Sequence, residues 1–226
     1  EDGTVNLVEG STDIGGSPGT LADFVTTAMG DDSAGRAQSS SWRAGDLDTS
    51  AAGVEAIDKA ARGPRPIPAG EYPVVVDPYV TDDLLNMLST DGMSAEAVQE
   101  GRSWMNDRIG QRAMSPAVTI WDDGCDPAGV PLPFDVEGVP RQRLNIVREG
   151  VVGEPAHNSY TAAKEGKVST GHAEPPEFQR WDTGPIPINL FMATGESSAP
   201  EMIAATKRGL YVSRFWYTRW VHSRDC

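Results

Sequence analysis

The chain has 226 residues, 38% hydrophobic and 23% charged, with a formal net charge of −14. That length buries a core without disulfides or structural metal, and Cys125 and Cys226 are too few for a disulfide framework. The acidic surface excludes nucleic-acid binding through a broad basic face, and no apolar run approaches the roughly 20 residues of a membrane-spanning helix.

Residues 1–50 are rich in Gly, Ser, Thr and Asp, and are read as the end of an upstream domain. Val5–Val8 forms a short strand, Leu21–Met29 an apolar segment of ambiguous type, and Gly30–Gln38 a polar loop. A domain is expected over 51–226. Thr49 or Ser50 caps a first helix, with Val54, Ile57 and Ala61 along one face, and Gly63-Pro64 ends it. A Pro-rich connector over 62–70 leads to Tyr72–Asp77, a β-branched run that reads as a buried strand. Val80, Leu84, Leu85 and Leu88 fit an amphipathic helix that ends at Asp91-Gly92.

Ala117–Trp121 reads as a strand, and Leu144–Val152 as a hairpin that turns at Glu149-Gly150. Residues 153–189 hold many Gly and Pro and read as loops and short strands. The last helix starts at a capping box, Ser198 with Glu201, and has Pro200 in its first turn. Lys207 and Arg208 are expected in its last turn and Gly209 at its C-cap, before a strand over Leu210–Tyr217. Helices and strands mix without a βαβ rhythm, so the fold class is α+β, with an antiparallel or mixed sheet and a few flanking helices.

Catalytic motifs fail on chemistry. Gly15-Gly16-Ser17-Pro18-Gly19 has the form of a nucleophile elbow, but Pro18 lacks the N–H that an oxyanion hole needs. Gly166-Lys167 is followed by Val168 where a P-loop needs Ser or Thr. Three acidic neighbours, Asp122, Asp123 and Asp126, disfavour a thiolate at Cys125. His157, His172 and His222 are far apart in sequence, and none lies in a helical metal motif. They form a metal site only if the fold brings them together.

Six blocks in order resemble the TldD/PmbA family, also known as modulators of DNA gyrase. They are Pro68–Pro78, Ala97–Ser103, Pro133–Pro140 with the hairpin that follows, Ser169–Ala173, Pro187–Leu190, and Lys207–Val212 with Arg214, Trp216 and Tyr217. The match runs from about residue 50 to 226. The resemblance implies a cytoplasmic metallopeptidase system acting on peptides, in which a TldD-type subunit carries zinc and a TldE-type subunit pairs with it.

The family's metal motif, two histidines around a glutamate, belongs on the helix after Pro-Val-Val-Val-Asp-Pro. Here that helix reads Tyr79-Val80-Thr81-Asp82-Asp83-Leu84-Leu85-Asn86-Met87-Leu88, without histidine. Asp82 and Asp83 point about 100° apart and cannot replace a pair at i, i+4. The TldD-type distal cysteine ligand falls beyond Cys226. The resemblance therefore implies a TldE-type subunit with no metal or cofactor of its own, zinc being expected in its TldD-type partner. Its partners are that subunit or a second copy of itself, together with a peptide; nucleic acid and membrane are not expected. The alternative is a self-associating scaffold of the same fold without catalysis.

Substrate- or partner-binding candidates are Glu100, Arg102, Thr170, His172, Asn189, Arg208, Arg214 and Trp216. Glu100 and Arg102 grip a peptide terminus or form an ion pair. Thr170 and His172 form a polar site or hold their own loop, and Asn189 bonds an extended peptide or its own turn. Arg208, Arg214, Trp216 and Tyr217 are the residue types of an interface hot spot, with core packing of Trp216 as the other reading.

Overall fold

The computed structural model describes residues 2–11, 18–63, 66–174, 184–219 and 221; the side chains of 2–11, 18–20 and Asp91 are outside that description. The chain divides into two compact units, Glu1–Glu71 with Ala128–Val130, and Tyr72–Pro127 with Pro131–Cys226.

The first unit is an antiparallel meander of β1 (Asp2–Ser11), β2 (Pro18–Met29) and β3 (Ala34–Ser41), with helix α1 (Thr49–Ala61) on it. Residues 34–38, expected in a loop, pair with β2 instead, with Ala37 opposite Thr26. Asp48 caps α1 by accepting from Ala51 N at 2.8 Å, one residue earlier than the sequence suggested. The buried face of α1 is Ala52 and Ala56, whereas Val54 and Ile57 are 61% and 57% exposed. Ala22 and Ala37 of the sheet are buried too, so small side chains meet on both sides and the helix lies close to the strands. That packing carries α1 into the first unit, and the division falls after the connector rather than at 50/51.

The second unit is built on an antiparallel sheet ordered β7-β6-β5-β8, from β5 (Ile120–Asp122), β6 (Leu144–Arg148), β7 (Val151–Val152) and β8 (Leu190–Met192). The β6–β7 turn has positive φ at both central residues, 50° at Glu149 and 79° at Gly150, which matches the twist of a two-residue hairpin. Helix α2 (Pro78–Gly92) is capped by Asp77 through Tyr79 N at 3.2 Å, with Pro78 in its first turn. Helix α3 (Ala95–Gln99) follows it directly.

The core joins Met93, Trp104, Met105, Ile120, Leu144, Ile146, Val147, Val152 and Ala156, with Leu85 and Leu88 of α2 packed against it. Trp104 is almost fully buried and meets its polar requirement by donating from Nε1 to Leu88 O at 3.0 Å. Leu84, expected on the apolar face, is 43% exposed. Helix α4 (Ser159–Lys164) stands where loops were expected, and its start was readable: Asn158 and Thr161 form a reciprocal capping box.

The β-branched run before α2 forms β4 (Val74–Val76), which pairs in parallel with β9 (Leu210–Val212). It is not the buried strand expected, since Val74 is 55% exposed. Helix α5 (Ala199–Ala205) has the capping box of Ser198 and Glu201, but ends at an extended Thr206. Lys207, Arg208 and Gly209 therefore lie outside it. No described helix is long and apolar enough to cross a membrane.

Candidate functional site

Side chains on β5 alternate, so Ile120 and Asp122 point into the buried face while Trp121 points the other way and stacks on Phe191 of β8, centroids 5.7 Å apart. Asp122 is a fully buried carboxylate, which the fold tolerates only if its oxygens are satisfied. They are. Oδ1 accepts from Asn189 N at 2.7 Å, and Oδ2 meets His172 Nε2 at 3.1 Å.

His172, also fully buried, presents Nδ1 to Thr170 Oγ1 at 2.9 Å. With Nε2 donating to Asp122, Nδ1 accepts the Thr170 hydroxyl proton when the ring is neutral and donates to that oxygen when the ring is charged. Thr170 Oγ1 in turn accepts from His157 N at 2.8 Å. Asn189 donates from Nδ2 to Asp123 O at 2.6 Å and Asp126 O at 3.2 Å. The network thus ties three segments to the end of β5: the 157 turn, the 169–172 loop and the strand entering β8. Burial alone would raise the Asp122 carboxyl. The His172 hydrogen bond and charge, the Asn189 amide and Arg141 oppose it and hold the group below the ordinary carboxylate range.

A hydroxyl, an imidazole and a carboxylate in a row have the composition of a nucleophile relay. Its members are closed in and engaged with one another. The histidine and the carboxylate have no exposed surface, and Thr170 Oγ1 lies 3.1 Å from His157 O as well as accepting from His157 N. Structure therefore brings Thr170, His172 and Asn189 together, as a buried latch centred on Asp122. Asp122 was absent from the sequence candidates, although an acidic residue on the apolar phase of a strand is the signal that marks it.

The remaining candidates lie apart from this latch. Arg102 Nε meets Glu100 Oε2 at 2.6 Å near the surface just after α3. Arg208 lies over the Tyr72 ring, 5.1 Å from its centroid, and donates to its hydroxyl at 3.2 Å. Arg214 sits 5.3 Å from the Trp216 centroid, and Trp216 is 81% exposed, so core packing does not hold it.

Two of the three histidines converge. His172 N donates to His157 O at 3.3 Å, while His222 lies outside the described residues, as do Gly15, Gly16 and Ser17. His157 is buried with neither ring nitrogen hydrogen-bonded; Glu165 Oε2 lies 4.0 Å from its Nε2. Burial lowers its pKa, against the attraction of Glu165. Lys167 bridges Glu154 at 2.7 Å and Glu165 at 2.9 Å, so Gly166-Lys167 closes a surface ion cluster and no phosphate loop.

A zinc ion does not fit these residues. Zinc takes three protein ligands and an open position, yet both nitrogens of His172 are engaged. Among the described side chains of helix α2 the carboxylates are Asp82 and Asp83, which are adjacent in sequence. Loss of water and the adjacent Asp83 push the Asp82 carboxyl up, the behaviour of two like charges with nothing between them. Among the described residues no group of three or more His, Cys, Asp or Glu could hold a metal.

The sequence profile of the PmbA/TldA metallopeptidase C-terminal domain matches residues 69–224. A metalloprotease TldD homolog of Haemophilus influenzae is 28% identical over 66% of this chain and 31% of its own length. A metalloprotease of Archaeoglobus fulgidus is 29% identical over 70% of this chain and 36% of its own. The chain thus spans about a third of the length of these curated relatives. The crystal structure of a candidate modulator of a DNA gyrase from Thermotoga maritima superimposes with a TM-score of 0.75 at 30% identity, covering 87% of this chain and 45% of that one. TldE from Thermococcus kodakarensis has a TM-score of 0.73 at 20% identity, over 87% of this chain and 46% of its own, a likeness of fold alone.

Proposed function

This chain belongs to the PmbA/TldA metallopeptidase family, also called TldD/PmbA, and on that premise we propose that it is the metal-free, TldE-type subunit of a two-subunit peptidase. In this role it pairs with a zinc-bearing TldD-type subunit and contributes to the cleft that holds the peptide. The observation that carries the reading is α2. It follows β4 through Asp77 and Pro78 and has no histidine anywhere between Pro78 and Gly92.

The His172 latch supports the reading from the opposite side. Its ionisable groups are spent on one another in a closed interior, so they offer neither a metal ligand nor a general base to a substrate. In this reading cleavage comes from the partner. The net charge of −14 suits contact with a basic partner surface or peptide and disfavours direct contact with DNA.

The test is reconstitution. The full-length protein is assayed for cleavage of an unfolded polypeptide alone, with a TldD-type metalloprotease, and with that mixture under chelator. Cleavage confined to the chelator-sensitive mixture is the expected result. Cleavage by this chain alone overturns the proposal, as does failure of the two chains to associate.

A further inference from the structure

We infer that His157 is a pH-sensitive release for the His172 latch: on taking up a proton its ring leaves the interior, and the 169–172 loop that its main chain holds comes free. His157 is 1% exposed, and neither ring nitrogen has a hydrogen-bond partner among the described residues. A buried polar group left without partners is costly, and native structures rarely keep one without a use.

The main chain of His157 is where the loop is tied down. His157 N donates to Thr170 Oγ1 at 2.8 Å. Its carbonyl accepts from Thr170 N at 3.2 Å, His172 N at 3.3 Å and Ser169 Oγ at 3.2 Å. The residue before it is anchored elsewhere: Ala156 N donates to Met93 O at 2.8 Å, and Ala156 O accepts from Ala95 N at 2.9 Å. The covered ring reaches water only if its own turn or the loop bonded to that turn moves. Displacement at 157 is therefore passed to the loop, while Ala156 stays fixed to the core.

The charges around the ring make the closed state a poor host for a proton. Glu165, Lys167, Glu154 and His172 face it from the segments flanking α4 and from the loop. Asp122 lies behind His172 at 3.1 Å, and Glu137 meets the start of α4 by accepting from Ser159 N at 2.9 Å. The nearest acceptor is Glu165 Oε2, 4.0 Å from Nε2 and beyond hydrogen-bond distance. That carboxylate is already engaged: Oε1 accepts from Gln99 Nε2 at 2.8 Å, and Oε2 meets Lys167 Nζ at 2.9 Å. Lys167 is kept in place by Glu154 at 2.7 Å. A charged ring thus finds attraction but no free acceptor, and a cation nearby, whereas water supplies acceptors for both its N–H groups. Burial lowers the His157 pKa, so below about pH 6.5 the opened segment binds the proton first. Opening then grows by up to about tenfold per pH unit, until the folded value is passed.

The experiment is amide hydrogen exchange on the full-length protein from about pH 7.5 to about 5, corrected for intrinsic rates and resolved on Thr170 and His172. Both amides are expected to lose protection by up to about tenfold per pH unit below about 6.5. The amides of β6 are expected to stay better protected throughout, which marks the opening as local. His157→Gln should flatten the acid response of the loop. Lys167→Met removes the cation beside the ring and should make that response smaller, even where it raises opening at every pH.

An acid response that persists in His157→Gln belongs to another group and overturns the inference. So does a wild-type loop whose protection is insensitive to acid, or one no less protected than β6. If His157→Gln does not fold, Lys167→Met decides: an acid response equal to that of the wild type overturns the inference. None of these outcomes bears on the subunit reading.

Discussion

Two acidic places in the second unit, the middle of α2 and the end of β5, are treated in opposite ways by the fold. On α2, Asp82 and Asp83 are sequence neighbours of like charge, and the Asp82 carboxyl is pushed up by loss of water and by Asp83. On β5, Asp122 has no exposed surface but is held low by His172, Asn189 and Arg141. The first is where the family resemblance puts metal chemistry, and it carries no ligands for it. The second has the residues of a catalytic site but spends them on cohesion. The lesson is that residue type does not assign a role: the number of satisfied oxygens and the access to solvent do.

The largest effect that sharpens this contrast is expected at Asp122. Asp122→Ala leaves His172 and the Asn189 amide without their acceptor in a closed interior, and should cost about 3–5 kcal/mol in urea denaturation. An equal cost for Asp82→Ala would erase the distinction between the two places. Gly171→Ala comes next. Its positive φ and the Pro140 carbonyl beside it should make the substitution cost about 1–3 kcal/mol and loosen the loop that carries His172.

A smaller effect tests His157 through pH. Its folded pKa lies below the ordinary histidine value, so below about pH 6.5 the unfolded chain binds the proton first and stability falls. Glu165, Lys167, Glu154 and His172 face it and set how far the loss extends. In His157→Gln this first loss should vanish from stability-versus-pH curves. The later loss should persist, because it comes from Asp122, whose stabilisation disappears as pH falls below the ordinary carboxylate range and through its depressed pKa. The smallest expected effect is at Asp82→Asn, within about 0.5 kcal/mol and stabilising at neutral pH, since the charged form is the disfavoured one there.

Legibility from sequence followed how local the cause was. The Ser198–Glu201 box and the Glu149-Gly150 turn were readable because their chemistry lies within a few residues, whereas the α1 cap falls one residue earlier, at Asp48, and α5 ends before Lys207. The α+β class followed from helices and strands that mix without a βαβ rhythm, and the absence of histidine from α2 was legible against the family resemblance. Which face of α1 is buried was not. The apolar periodicity of Val54 and Ile57 lost to alanines, because a close approach to the sheet depends on the partner surface.

The site divided along the same line. Thr170, His172 and Asn189 were marked as polar residues in family blocks, but the residue that joins them is 50 positions from His172 in sequence. His157 stood in the sequence only as one of three scattered histidines; its distinction is a buried ring without hydrogen-bond partners, which only a structure reveals.

Whether this chain is the metal-free half of a peptidase is decided by zinc titration of the full-length protein alone, after chelator treatment and dialysis. The expected result is no stoichiometric zinc and no change in melting temperature on adding it. One zinc per chain, lost on His172→Ala or His157→Ala, would contradict it.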